Sequence, residues 1–134
     1  MRLLQWHCDY FKYKATKLAL RTEMEPAKEG SFENVVVVLV SAEKGDNPET
    51  ARNAITAIKP NFDQVKADKL LIYPYAHLSN NLATPSIAIT VLKEMEDFAR
   101  EKGFEVERSP FGWYKEFECK VKGHPLAELS KSIT

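Results

Sequence analysis

The sequence predicts an α/β domain in which two helices pack on one sheet. Three observations carry this. Residues 35–40 are continuously apolar and largely β-branched, the pattern of a strand buried on both faces. Two helix-start signals, Asn47-Pro48-Glu49 and Thr84-Pro85, recur along the middle of the chain, each next to a strand-like run. Further strand-like stretches open and close the 134 residues.

Residues 1–22 read as a pair of strands: Leu4, Trp6 and Cys8 alternate with Gln5 and His7, and Phe11, Tyr13 and Ala15 then alternate with Lys12 and Lys14. Residues 23–31, containing Pro26 and Gly30, read as a loop. After the apolar strand, Asn47 can cap a helix, Pro48 fits its first turn and Glu49 favours its positive end. That helix is expected to run towards Ala67, with Pro60 kinking or breaking it. A strand at 69–73 ends at Pro74. The second helix opens at Thr84-Pro85, turns on Ile89, Leu92, Met95, Glu96 and Ala99, and closes at Gly103. Strands at 104–109 and 113–121 complete a ββ–(βα)2–ββ order. The repeated strand–helix unit reads as a weak internal duplication, and right-handed crossovers place both helices against one sheet. No linker divides the chain, so residues 1–134 are expected to form a single domain.

Composition excludes several classes. With 44% hydrophobic and 28% charged residues the chain is neither disordered nor collagen-like. No apolar run approaches the roughly 20 residues of a membrane span, and the start lacks a signal peptide's apolar region. A soluble, cytoplasmic protein without a membrane partner is expected. Charge balances at 19 Lys+Arg against 19 Asp+Glu, which argues against a general polyelectrolyte binder. It is uneven, however: residues 1–22 sum to +4 and residues 23–58 to −4, so a basic edge can meet a nucleic-acid backbone. Cys8 and Cys119 have no CxxC spacing, and no HExxH, GxSxG, P-loop or GxGxxG occurs. Neither a metal nor a cofactor is expected.

Three polar clusters exceed what a purely structural account needs: YPYAHLS at residues 73–79, SPFGWYKEF at 109–117 and KGHPLAELS at 122–130. Strand-end loops such as the first are common ligand sites in α/β folds. In this order and spacing, and with the opening residues Leu4, His7, Asp9 and Tyr10, the clusters make the chain resemble the N-terminal editing domain of archaeal threonyl-tRNA synthetases over essentially its whole length. That family shares its fold with D-aminoacyl-tRNA deacylases. The resemblance implies hydrolysis of mischarged seryl-tRNA(Thr), sparing threonyl-tRNA(Thr), with the 2′-hydroxyl of the terminal adenosine helping to activate water. The implied partners are the 3′ end of tRNA(Thr) carrying serine, the remainder of the synthetase in cis or in trans, and a second copy in a homodimer. The physical need is that a site built for Thr cannot strongly exclude Ser, since one methyl is worth only about 1–3 kcal/mol.

Carried over motif by motif, the resemblance implies His77 and Lys115 as catalytic residues and Tyr114, Glu128, Ala76 and Tyr75 as substrate-binding ones. Lys115 offers a point charge with three donors, and His77 can both donate and accept. Glu128 can pair with Lys115, and Tyr114 can supply a wall or a hydroxyl. On alternation alone, Lys115 is a solvent-facing strand residue and Glu128 an exposed helix acid. Trp6 and Trp113 read as packing, and His7 and Cys8 as ordinary strand positions. Trp6, Cys8, Glu116, Glu118 and Pro60 depart from the family pattern without removing a matched site residue. Two other functions fit the same elements. A D-aminoacyl-tRNA deacylase would carry an SQxT-type motif and a Gly-Pro pair, and neither occurs. A non-catalytic tRNA-binding or dimerisation module would keep the basic edge without needing His77 and Lys115 together.

Overall fold

A computed structural model describes residues 1–134. Residues 35–40 are at most 2% exposed because they lie in the middle of a six-stranded sheet. The elements run β1 (Arg2–Leu18), β2 (Glu29–Ser41), α1 (Pro48–Gln64), β3 (Lys69–Pro74), α2 (Pro85–Glu101), β4 (Val106–Arg108), β5 (Trp113–Val121) and β6 (Glu128–Ser132). The sheet order is β4-β3-β2-β1-β5, with β6 paired to β1 as well. The pairs β2–β3 and β3–β4 are parallel, and β1 is antiparallel to β2, β5 and β6. No helix is long and apolar enough to cross a membrane.

The two faces of the sheet differ. Val36, Val38, Val40, Leu70 and Ile72 pack under Ala51, Ile55 and Ile58 of α1 and Val91, Leu92 and Met95 of α2. Val35, Val37, Leu39, Leu71 and Tyr73 form a second core with Cys8, Phe11 and Tyr13, to which no helix contributes. Both crossover helices therefore cover one face, as right-handed connections require, and the opposite face is left to loops and aromatic side chains.

Residues 1–22 do not form two strands. β1 is one strand of 17 residues, and its register with β2 keeps one offset from Arg2↔Ser41 to Lys14↔Glu29. The ladder lapses only at Asp9 and Asn34, where Asn34 adopts a left-handed φ of 44° and the β5 register shifts. Leu4, Trp6 and Cys8 face the helix-free side before this point, and Phe11 and Tyr13 face it afterwards. The change from even to odd positions imitates a strand break. β2 also begins earlier than the apolar run, so residues 29–31 belong to it rather than to a loop. Gly30 sits opposite Tyr13, where a Cβ would lie 2.7 Å from the ring.

α1 opens as predicted: Asn47 accepts from the Thr50 amide and the Thr50 hydroxyl accepts from the Asn47 amide. It continues through Pro60 and stops at Gln64, short of Ala67. Thr56, whose carbonyl Pro60 cannot bond, is exposed, so water can satisfy it. Gly103 closes α2 with φ +91°. β6 has no counterpart in the sequence reading, since ELSKS carries no apolar alternation, and it places Glu128 on a strand rather than a helix.

Residues 19–25 fold back onto the β4–β5 connection. Glu25 donates its amide to the Phe111 carbonyl (3.0 Å), and its own carbonyl accepts from Trp113 Nε1 (2.6 Å). Buried Arg108 grips the Glu25 carboxylate with both terminal nitrogens and Glu96 with Nε (3.0 Å). Burial would raise the Glu25 pKa, but the Arg108 hydrogen bonds and charge outweigh it and hold the carboxyl below its ordinary value. Arg108→Met is expected to lower unfolding free energy at pH 7 by about 2–3 kcal/mol, because Glu25 loses its partner. A depressed carboxylate pKa stabilises above the unfolded value and is lost as pH falls through the folded one. Urea denaturation should therefore show the deficit narrowing in acid; an unchanged midpoint at pH 7 would contradict the assignment.

Candidate active site

β5 brings Lys115 to the helix-free face. It stands opposite Ala15, and its Nζ donates to the Pro110 carbonyl (2.8 Å) while lying 5.0 Å from the centre of the Tyr73 ring. Beneath it runs an aromatic floor. Tyr73 meets Phe11 edge-on at 5.5 Å and Phe117 at 5.9 Å, and Phe117 stacks on Phe11 at 5.3 Å and tilts towards Trp6 at 6.2 Å. Such contacts hold the rings in fixed geometry. Removal from water pushes the Lys115 pKa down to about 8, against the opposing pull of the Glu25 carboxylate. The ammonium forms no ion pair, so its charge is free to meet a ligand.

The second cluster follows β3. Tyr75 is fixed by its amide on the Val40 carbonyl (2.9 Å) and by its carbonyl accepting from the Ser41 hydroxyl, which in turn accepts from the Leu78 amide (3.3 Å). Between these tethers Ala76 and His77 are exposed, and the His77 ring meets the Tyr75 ring edge-on at 5.1 Å. Tyr75 packs against the helix-free core, so His77 borders the same face as Lys115. Beside this loop opens a hollow of about 230 Å³, lined by Leu78, Leu4, Arg2, Ser130, Lys131 and Ser132.

Glu128 stands directly opposite Trp6 and is exposed at the end of the aromatic floor. It does not pair with Lys115, whose neighbours are the Pro110 carbonyl and the Tyr73 ring. Tyr114 is 60% exposed, and its hydroxyl makes no hydrogen bond. As the neighbour of Lys115 in a pleated strand it is directed to the other side of β5. The structure thus puts Lys115, the Tyr75 ring and Glu128 on the helix-free side, with Ala76 and His77 exposed in the loop beside Tyr75, and directs Tyr114 to the other side. Sequence reasoning missed the floor residues Tyr73 and Phe117, the Pro110 carbonyl and the Glu25 carboxylate. Tyr73, Pro110 and Phe117 lie inside the recognised clusters; Glu25 carries no local signal. No cluster of three or more His, Cys, Asp or Glu side chains that could hold a metal ion is present.

Two solved structures share this architecture. A protein described as the c-Myc DNA unwinding element binding protein superposes with a TM-score of 0.74 at 8% identity, covering 98% of both chains. A probable eukaryotic D-amino acid tRNA deacylase superposes with a TM-score of 0.58 at 11% identity, covering 97% of this chain and 98% of that one. At these identities the likeness is one of fold, a D-aminoacyl-tRNA deacylase-like fold. The chain belongs to the archaea-specific editing domain family of threonyl-tRNA synthetase, which it matches over residues 1–133, and is accordingly an aminoacyl-tRNA hydrolase domain. It is 48% identical to the threonine–tRNA ligase of Nitrosopumilus maritimus and 49% identical to that of Staphylothermus marinus, covering 100% and 99% of this chain. It spans 22% of the length of each.

The burial of Lys115 has a consequence for stability. A lysine whose folded pKa lies below its unfolded one binds fewer protons when folded, so stability rises with pH between the two values. Lys115→Met is expected to melt above the wild type at pH 7, with the gap closing as pH rises from about 8 towards the ordinary lysine value. Thermal melts across that range test this; a variant less stable than wild type at pH 7 would contradict it.

Proposed function

We propose that this domain proofreads threonylation by hydrolysing seryl-tRNA(Thr) and sparing threonyl-tRNA(Thr). The observation that carries the reading is the unpaired Lys115 ammonium, half-sunk over Tyr73 on the face that no helix covers. Hydrolysis of an aminoacyl ester places negative charge on the carbonyl oxygen as water adds, and a fixed cation in a poorly solvated site stabilises that charge far better than one in bulk water. His77 and the Tyr75-Ala76 backbone border the same surface and suit the binding of the seryl group and the terminal adenosine. The chain offers no nucleophile–base pair beside Lys115, which supports water activation by the substrate's own 2′-hydroxyl. In this scheme the side chains bind, orient and exclude, and the fixed aromatic rings are the surface against which the extra methyl of threonine would be rejected. Arg2 and Lys131 beside the hollow suit the phosphate backbone of the RNA end.

The partners we infer are the serine-bearing 3′ end of tRNA(Thr), the rest of threonyl-tRNA synthetase in cis or in trans, and a second copy of the chain. The expected compartment is the cytoplasm. Tyr114, directed away from Lys115, has a smaller part in this reading than Glu128.

Single-turnover deacylation of Ser-, Thr- and D-Ser-charged tRNA tests it. Ser-tRNA(Thr) is expected to be hydrolysed at least about tenfold faster than Thr-tRNA(Thr), the discrimination one methyl can give; equal rates, or a preference for D-Ser, would overturn the reading. Lys115→Met is expected to lose roughly 10²–10³ in rate, as for one oxyanion contact. His77→Ala should lose about 10² or less, and a 2′-deoxy terminal adenosine more than His77→Ala. Full activity on the deoxy substrate with an inactive His77→Ala protein would make His77 the base instead.

A further inference from the structure

The opening residues 4–10 and the closing residues 122–130 carry two histidines, His7 and His124, that the reaction above does not use. They meet across 117 positions of chain. His7 is 4% exposed, and its Nδ1 lies 2.8 Å from His124 Nε2. The surrounding bonds settle the position of each proton. The Leu126 amide donates to His124 Nδ1 (3.2 Å), so that nitrogen is an acceptor and the ring carries its proton on Nε2. That proton is donated to His7 Nδ1, which leaves the His7 proton on Nε2, where it meets Asn34 Oδ1 at 2.7 Å. Asn34 passes the direction on, its Nδ2 donating to the Lys66 carbonyl at 2.9 Å. An additional proton on either ring would set one N–H against another.

The backbone of His7 holds the same segment. Its amide donates to the Ala127 carbonyl (2.8 Å), and its carbonyl accepts from the Lys122 amide (2.8 Å). His7 thus grips both ends of the turn 122–127 through its backbone and the middle through His124. Asp9 adds ion pairs to Lys122 and, at 3.6 Å, to Lys120. This is the point on the β1 edge where β5 ends and β6 begins, and Glu128 is the first residue of β6. The far end of β6 is tied to Met1 through the Ile133 amide (2.9 Å). The near end is held by the His7 clamp, the Asp9 ion pair to Lys122, the buried Ala127 and the Trp6–Glu128 pairing of a short polar strand.

We propose that His7 and His124 are positioning residues, a two-imidazole relay of fixed proton direction that sets the 122–127 turn and so places Glu128 at the end of the aromatic floor. A hydrogen-bonded pair of rings, unlike an apolar contact, has one distance and one orientation, and small displacements of a substrate-binding group can cost orders of magnitude in rate. The relay's service to hydrolysis rests on the editing function proposed above; its geometry does not.

Nitrogen NMR of the imidazoles tests the relay without any substrate. The Nε2 tautomer is expected for both rings; the Nδ1 tautomer of either ring would overturn the assignment. In His124→Phe, amide exchange is expected to quicken at Glu128, Leu129 and Ser130 while the β1–β5 amides keep their protection. Unchanged exchange at the three amides would sink the positioning role. Loss of protection throughout the sheet would do the same, since it would make the ring a general stabiliser. In Ser-tRNA(Thr) hydrolysis His124→Phe should cost roughly 10- to 100-fold, with no further loss when combined with Glu128→Ala; losses that multiply would show that it does not act through Glu128. A wild-type protein with both Nε2 protons in place, quickened exchange in the variant, and no hydrolysis of any charged tRNA would support the relay and overturn the editing function.

Discussion

The helix-free face depends on one constraint: β1 is long enough to be bonded along one edge by β2 and along the other by two strands in succession. β5 takes residues 8–18 and β6 takes residues 2–6. This brings Lys115 and Glu128, far apart on separate strands, onto the same side of the sheet. It also requires β1 to turn its side chains over once. At Asp9 and Asn34 the facing positions change from even to odd, so that Trp6 near Glu128 and Phe11 beneath Phe117 both reach the same surface. A strand of unbroken alternation would present Phe11 and Tyr13 to the helices and leave no floor.

The two faces differ in what they bury. On the helix side, Val36, Val38, Ile55, Leu92 and Met95 are almost fully buried and carry no titratable group. On the other side, rings replace helices. Tyr73 and Tyr13 are buried beside Phe11 and Phe117, and burial pushes the Tyr13 phenol up to about 12 and raises Tyr73 as well, so both remain neutral. That apolar surface is what makes the Lys115 ammonium costly to hold and, in the proposed reaction, useful to a developing negative charge. The Glu25–Arg108 latch supports this arrangement from outside. It fixes the loop that supplies the Pro110 carbonyl, and it keeps a carboxylate near Lys115 that is already bound to Arg108 and so does not neutralise the lysine.

Much of this was legible in the residues. The apolar run at 35–40, the Asn47 cap, Thr84-Pro85 and Gly103 each have one local physical meaning, and the elements they mark lie where expected. The single strand at 2–18 was not legible, because a reversal of facing and a break between strands give the same alternation pattern. β6 was not legible either, because a polar edge strand has no periodic signal and owes its existence to β1. At the candidate site, Lys115 and the 75–77 loop stand out in the sequence through their motifs. The expected Lys115–Glu128 ion pair depends on a distance that sequence does not encode, and the Pro110 carbonyl takes that place. His7 reads as an ordinary strand position and His124 as a member of the third polar cluster; only the antiparallel return of the chain joins them.

In the proposed function the seryl ester is held on the helix-free face, against Tyr73 and Lys115, with His77 and Glu128 at its borders. The most direct test is an NMR titration with a non-hydrolysable seryl amide of adenosine, following backbone amides and the Lys115 ammonium. Shifts are expected at residues 75–77, 113–117 and 128 and at the Lys115 nitrogen, with the threonyl amide binding more weakly and α1 and α2 unaffected. Binding centred on the helical face, or binding that leaves the Lys115 nitrogen unmoved, would contradict it.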